Sequence, residues 1–348
     1  MGARNYQYLW ALPITKQTDY NTVQADGVLT FSSLIGGPPV INREPVVIPD
    51  SSQFGSGHEW SEAQGIERWS LKIPIEADLN VFLAGLISAF GLGTEVAANL
   101  TGAFSHTCKP LDPASTLQQP AFSGIFSPIS NTGIKKKIQS LIVSDFEISG
   151  SGVERLKIKA NLEGSGIWAN STATMPASPT ASQFLRMKDV KLEVGAFGGG
   201  LTDISSRLKA FNFKFDNANA GDTDGYVPNT AKDATTGAHF RSRHEIGERR
   251  KIDLSMDILQ ATDGTELDRL DVGTNLAVKI TAEGEVISGA NKATVIINCT
   301  DVRWKKVMPK YIDGRLGFGI EAEVHYDATG GVVTPVTITV INAQATHL

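Results

Sequence analysis

The chain repeats itself. Glu67-Arg68-Trp69-Ser70-Leu71-Lys72-Ile73-Pro74-Ile75-Glu76 is echoed by Glu248-Arg249-Arg250-Lys251-Ile252-Asp253-Leu254-Ser255-Met256-Asp257, with Leu71, Ile73 and Ile75 falling on Ile252, Leu254 and Met256. Both runs alternate apolar and polar residues, the period of a strand with one buried face. A second echo follows in each half: Ser144-Asp145-Phe146-Glu147-Ile148 against Thr300-Asp301-Val302-Arg303-Trp304. A third aligns Arg155-Leu156-Lys157-Ile158 with Arg315-Leu316-Gly317-Phe318, and the order is the same in both halves. Two copies of a β-rich unit in one chain point to a structural building block more than to a single enzyme pocket.

The length of 348 residues suits two domains of ordinary size. The small, polar, Pro-bearing stretch from Ala173 to Ser182 marks the joint, giving a first domain over 1–175, a linker over 176–182 and a second domain over 183–348. A hydrophobic share of 41% with 20% charged residues places the chain among folded globular proteins. The net charge of -5 argues against a protein that grips nucleic acid by neutralising phosphates. Two cysteines, Cys108 and Cys299, rule out a disulfide framework, and Cys299 in its alternating run reads as a small buried hydrophobe. Met1-Gly2-Ala3-Arg4-Asn5-Tyr6 carries no signal-peptide pattern, and the longest apolar stretch, Leu79 to Phe90, is too short to span a bilayer. The expectation is a soluble protein made in a cytoplasm, without membrane insertion.

Along the chain, Tyr6–Trp10 and Val28–Phe31 read as strands, and a long polar connection from Gly36 to about Gly65 as an extended loop. A helix is expected over Leu79–Phe90, capped by Asp78 and closed by Gly91. An irregular segment bearing Pro110, Pro113, Pro120 and Pro128 leads to a hairpin, Ile138–Ile148 and Arg155–Glu163, around Ser149-Gly150-Ser151-Gly152. The second half offers strands at Leu185–Val194 and Leu208–Phe215, the latter with Phe211, Phe213 and Phe215 on one face. A second polar loop over 217–247 precedes the echo strand. A short helix over Thr265–Leu270 carries a capping-box pattern of Asp263 and Glu266. Strands near Leu276–Ile280, Thr294–Lys305 and Leu316–Tyr326 follow, and Val336–Ile341 reads as an added edge strand. The fold class is mainly β: two tandem sandwich or open-barrel domains, each an antiparallel sheet over one short helix.

Motifs that carry chemistry are missing. The histidines, His58, His106, His239, His244, His325 and His347, form no ligand pattern of known spacing. No Gly-Lys dipeptide, hence no phosphate-binding loop, and no GxSxG elbow occurs. Glu67 with Glu76, and Asp253 with Asp257, sit at strand spacing and read as solvated polar faces ahead of a glycosidase pair. Lys135-Lys136-Lys137 reads as a solvated strand entrance, and Trp69, Trp168 and Trp304 as packing residues ahead of a sugar platform. The reading is therefore a non-enzyme with no metal, catalytic or cofactor site.

The order of elements resembles the tail tube proteins (major tail proteins) of long-tailed bacteriophages, in the form with a duplicated tube domain. The likeness rests on the long loop leading into Gly65-Ile66-Glu67-Arg68-Trp69, the helix at Leu79 to Phe90, and Phe104-Ser105-His106-Thr107-Cys108-Lys109-Pro110. The hairpin Ile138 to Glu163 and the closing run Val302-Arg303-Trp304 through Asp327 complete it.

The resemblance implies sandwiches whose sheets join around a channel. A two-domain chain would then close as a homotrimeric, pseudo-hexameric ring, with a hexamer as the alternative, and the rings stack into a tube. It implies a virion location, a tape measure protein and a tail terminator as partners, and double-stranded DNA passing through without sticking. Assembly candidates in loops and edges are Phe54, His58, Trp60, Tyr226, His239 and Arg241. Lys157 and Lys159 are expected on a basic face against a neighbouring subunit, and Glu321 and Glu323 nearer the lumen. The rival readings are a tail terminator or baseplate hub of similar fold, a carbohydrate-binding β-sandwich with exposed Trp60 or Trp168, and a glycoside hydrolase.

Overall fold

The computed structural model describes residues 8–13, 17, 29–32, 42–46, 68–111, 119–128, 135–173, 184–217, 250–260, 265–325, 334–345 and 347–348. The first half runs β1 (Tyr8–Pro13), β2 (Leu29–Ser32), β3 (Asn42–Val46), β4 (Arg68–Asp78), helix α1 (Val81–Leu92), β5 (Gly93–Leu100), β6 (Ala103–Pro110), β7 (Phe122–Pro128), β8 (Lys136–Ser151), β9 (Lys157–Gly164) and β10 (Trp168–Asn170). The second runs β11 (Val190–Ala196), β12 (Leu201–Asp203), β13 (Leu208–Asp216), β14 (Lys251–Leu259), helix α2 (Thr265–Val272), β15 (Leu276–Ser288), β16 (Asn291–Ile312), β17 (Arg315–Val324) and β18 (Val336–Asn342).

The protein is mainly β, and among the described residues every strand pairing is antiparallel. One run of strands is ordered β3-β4-β9-β8-β13-β14-β17-β16. A second is β2-β1-β7-β8-β10. The third is β12-β11-β15-β16-β18-β6-β5. The two long strands β8 and β16 belong to two runs each, pairing with one set of neighbours early and another late.

The pairing pattern occurs twice, in register. Ile73 faces Leu162 as Leu254 faces Ala322. Val143 faces Leu162 as Trp304 faces Ala322, and each is followed at once by a bulge, at Ser144 and at Lys305. Phe122 faces Leu141 as Leu276 faces Val302. Trp10 faces Phe126 as Leu192 faces Ile280. Asn42 faces Lys72 as Lys214 faces Asp253, and Trp168 faces Ile138 as Val336 faces Cys299. Thus β1–β4 and β7–β10 correspond to β11–β14 and β15–β18. The first and third sequence echoes fall into this register. The second does not: the bulges put Asp145 level with Lys306, five residues beyond Asp301. The hairpin β5–β6 has no counterpart, since α2 passes through Gly273–Asn275 straight into β15.

Alternation explains the strands. Ile73 and Ile75 of β4, Ala160 and Leu162 of β9, Phe213 and Phe215 of β13, Leu254 and Met256 of β14 and Ile320 of β17 all point into one core. Burying each large aliphatic or aromatic side chain stabilises by about 1.5–3 kcal/mol. Phe146 lies against Phe215 with centroids 5.5 Å apart, so aromatic packing crosses from the first repeat to the second.

Helix α1 is apolar all round and wholly buried. Its N-cap is Asn80, whose Oδ1 accepts from Leu83 N at 2.8 Å, and not Asp78, which accepts from Arg155. Its closing residue is Gly93, left-handed at φ 92°, and not Gly91. Gly91 lies inside the helix, where a Cβ would stand 2.8 Å from the Phe146 ring.

Three further expectations change. The segment 36–65 contains strand β3. The Pro-bearing segment after α1 begins with the hairpin β5–β6. And β18 is no edge strand, because it sits between β16 and β6. The linker 176–182, the loop 218–249 and Asp263 lie outside the described residues.

Candidate assembly surface

Among the described residues, the eight-strand run ends in two open edges. Strand β3 pairs only with β4, and residues 303–312 of β16 pair only with β17. Such an edge presents a row of unpaired N–H and C=O groups to another chain.

The middle of the same run shows what closes edges of this kind. There β8, the counterpart of β16, pairs with β13, the counterpart of β3. Ile148 faces Phe213, Phe146 faces Phe215 and Asp145 faces Asp216. Asn217 N donates to Ser144 O at 3.0 Å, so Asp145 and Asp216 form a non-hydrogen-bonded pair with close side chains. Asn161 Nδ2 donates to both Asp145 carboxylate oxygens, at 3.0 and 2.9 Å. Met187 and Phe211 from the second repeat cover Gly150 and Leu156 of the first. A shallow cleft of about 230 Å³ lies over this joint, bordered by Ser149, Arg155, Lys157, Asn212 and Asp257.

The polar face of the run is a mixed field of charge. Following the registers across it, Glu76, Lys159, Glu147, Lys214, Asp253 and Glu323 stand side by side, ending on Arg303. The neighbouring row passes from Asp78 and Lys157 through Ser149, Asn212 and Ser255 to Glu321 and Lys306. Lys159 lies 3.8 Å from Glu76, and Lys306 lies 3.4 Å from Glu321. Such exposed pairs contribute little stability, about 0–1 kcal/mol each, but they keep the face near electrical balance. Lys157, Lys159, Glu321 and Glu323 therefore share one face of one sheet, in adjacent rows. The division into a basic face and an acidic face does not hold, because the strands that carry them correspond and point their polar residues the same way. Nor is β9 an edge: β4 and β8 flank it.

A second joint links the repeats through the hairpin. His106 of β6 places Nδ1 2.6 Å from Glu95 Oε1 of β5. Its Nε2 faces Asn342 Oδ1 at 3.0 Å and the Gln344 carbonyl at 2.8 Å, so acceptors meet both ring nitrogens. Glu95 also accepts from the backbone N–H groups of His347 and Leu348. Asn342 Nδ2 donates to Val81 O and lies 3.1 Å from His347 Nε2. Burial pushes the Glu95 carboxyl up, but the His106 bond and the two backbone donors outweigh it and hold it at about 2. Burial and the neighbouring His106 push His347 down to about 4.

Glu95, His106 and His347 bring potential metal-ligand atoms within 4.8 Å of one another. Glu95 and both His106 nitrogens are already engaged in hydrogen bonds, so the arrangement works as a clamp. The sequence does not reveal it because His347 lies about 240 residues beyond the β5–β6 hairpin and no ligand spacing links the three.

Glu266 has a buried carboxylate, 3.3 Å from Arg207, 3.1 Å from Arg269 and 3.3 Å from the Trp304 indole nitrogen, pinning α2 to β16. Trp304 is thus a packing residue, 6% exposed. Phe54, His58, Trp60, Tyr226, His239 and Arg241 lie outside the described residues. Among the described residues, no helix is long and apolar enough to cross a membrane. No protein-family model matches the chain, and no curated protein matches it.

Proposed function

We propose that the protein is a structural subunit of a phage tail tube, built from two tandem tube domains and closing with copies of itself into stacked rings that conduct double-stranded DNA. The observation that carries this reading is the β8–β13 joint. The chain already contains one edge-to-edge union of its two repeats, and among the described residues the two edges that would make the same union again are open. A head-to-tail contact of that kind closes into a ring when the rotation fits. Three chains supply the six sectors that the family resemblance calls for. A polar face of alternating charge suits a lumen past which phosphates slide, since it offers no cationic surplus to hold them by counterion release.

The test is electron microscopy of the purified protein in negative stain. Hollow tubes of stacked rings are the expected result. Isolated closed rings would favour a terminator, and a monomer at every concentration would reject the assembly reading.

A further inference from the structure

We infer that residues 42–44 of β3 in one copy pair with residues 306–308 of β16 in a second copy, in the register of the internal joint, so that Glu44 stands opposite Lys306. This rests on the ring-forming reading and specifies its interface.

The register follows from correspondence. Asp145 of β8 is level with Lys306, and Asp216 of β13 is level with Glu44. Since Asp145 faces Asp216 within the chain, Lys306 faces Glu44 between chains, Val307 faces Arg43 and Met308 faces Asn42. Two like charges at the internal joint become two opposite charges at the external one. Both Glu44 and Lys306 are exposed.

Exposure at corresponding positions supports the same contact. Leu156 is 1% exposed, because the second repeat covers it, whereas its counterpart Leu316 is 43% exposed. Gly150 lies under Met187 and Phe211, whereas its counterpart Tyr311 is 81% exposed. Helix α1 is buried against β18 across the joint, with Val81 O bound to Asn342. Helix α2 leaves Leu267 and Val272 exposed, Val272 at 78%. Leu156 and Gly150, covered at the internal joint, thus have exposed counterparts where a second copy would sit.

The test is disulfide trapping with the full chain. Glu44→Cys and Lys306→Cys are placed in one chain, assembly is followed by microscopy, and the sample is oxidised and run under denaturing conditions. Cys108 and Cys299 are buried and do not interfere. The expected result is covalent closure into multimers for this pair, and at least tenfold less for Glu44→Cys with Lys310→Cys, four residues out of register. Assembly with trapping of the second pair, or of neither, overturns the register and leaves the ring reading standing. Failure of the unmodified chain to assemble overturns both.

A second set guards against an effect of the thiols. Glu44→Lys or Lys306→Glu alone should raise the concentration needed for assembly about fivefold per contact, and the double exchange should restore it. No restoration would overturn the pairing.

Discussion

Glu95 Oε1 and His106 Nδ1 are hydrogen-bonded at 2.6 Å, shut away from solvent, on two neighbouring strands of a hairpin that only the first repeat possesses. The pair sets the floor on which the segment after β18 lies. Because Glu95 also binds the backbone at His347 and Leu348, one carboxylate ties the end of the second repeat to the first.

Glu95→Gln weakens the acceptor shared by His106 and two backbone N–H groups. Leaving a buried donor without its partner costs about 1–3 kcal/mol. Urea denaturation should show an unfolding free energy lower by that amount, and hydrogen exchange a loss of protection in the segment 342–348.

Acidification should weaken the clamp in two stages. His347 has a folded value of about 4 against an ordinary 6.5, so between these the unfolded chain binds the extra proton. Stability therefore falls as pH drops from about 6.5 to 4, by on the order of 2 kcal/mol at pH 5. Glu95, held at about 2 against 4.5, contributes stability that is present above pH 4.5 and lost as pH falls toward 2. A series of urea midpoints across pH, with His347→Asn removing the upper stage only, checks the assignment.

Phe215→Ala should cost about 3–5 kcal/mol. The ring is fully buried and stacks on Phe146 at 5.5 Å across the joint between repeats. Differential scanning calorimetry should show a lowered transition, since the lost contact lies where the two repeats meet in the shared core.

Thiol reagents should not label the native protein. Cys108 and Cys299 are buried. Burial pushes both thiols up, Cys299 to about 12, with the Glu95 charge adding to the rise at Cys108. Labelling should appear only with unfolding, and fast labelling of native protein would show that these interiors open.

Much of the framework was legible in the chain. The strand at Leu71–Ile75 and its echo at Ile252–Met256 fell in register because strict alternation leaves one way to bury a face. The helix at 265 was visible from its local pattern. The echo at Asp145 and Asp301 misled, because a shared Asp is a weaker marker of position than a bulge, and bulges leave no residue signature. The hairpin at Gly93–Pro110 was hidden by its composition. Exposed Val96 and Ala97 on one strand and buried His106 on the other blur the period-two signal. The edges of the candidate interface could not be read at all, since pairing between strands far apart in sequence decides which ones are left open.

Strand β18 has a consequence for anyone who would halve the molecule. It is the last strand of the second repeat, yet its outer neighbour is the β6 hairpin of the first. Severing the chain near residue 180 would strip that hairpin of its partner and bare a helix that is nowhere wet in the whole protein. The two halves are copies in plan but not spare parts, and expressed separately they should stick, to each other or to anything else.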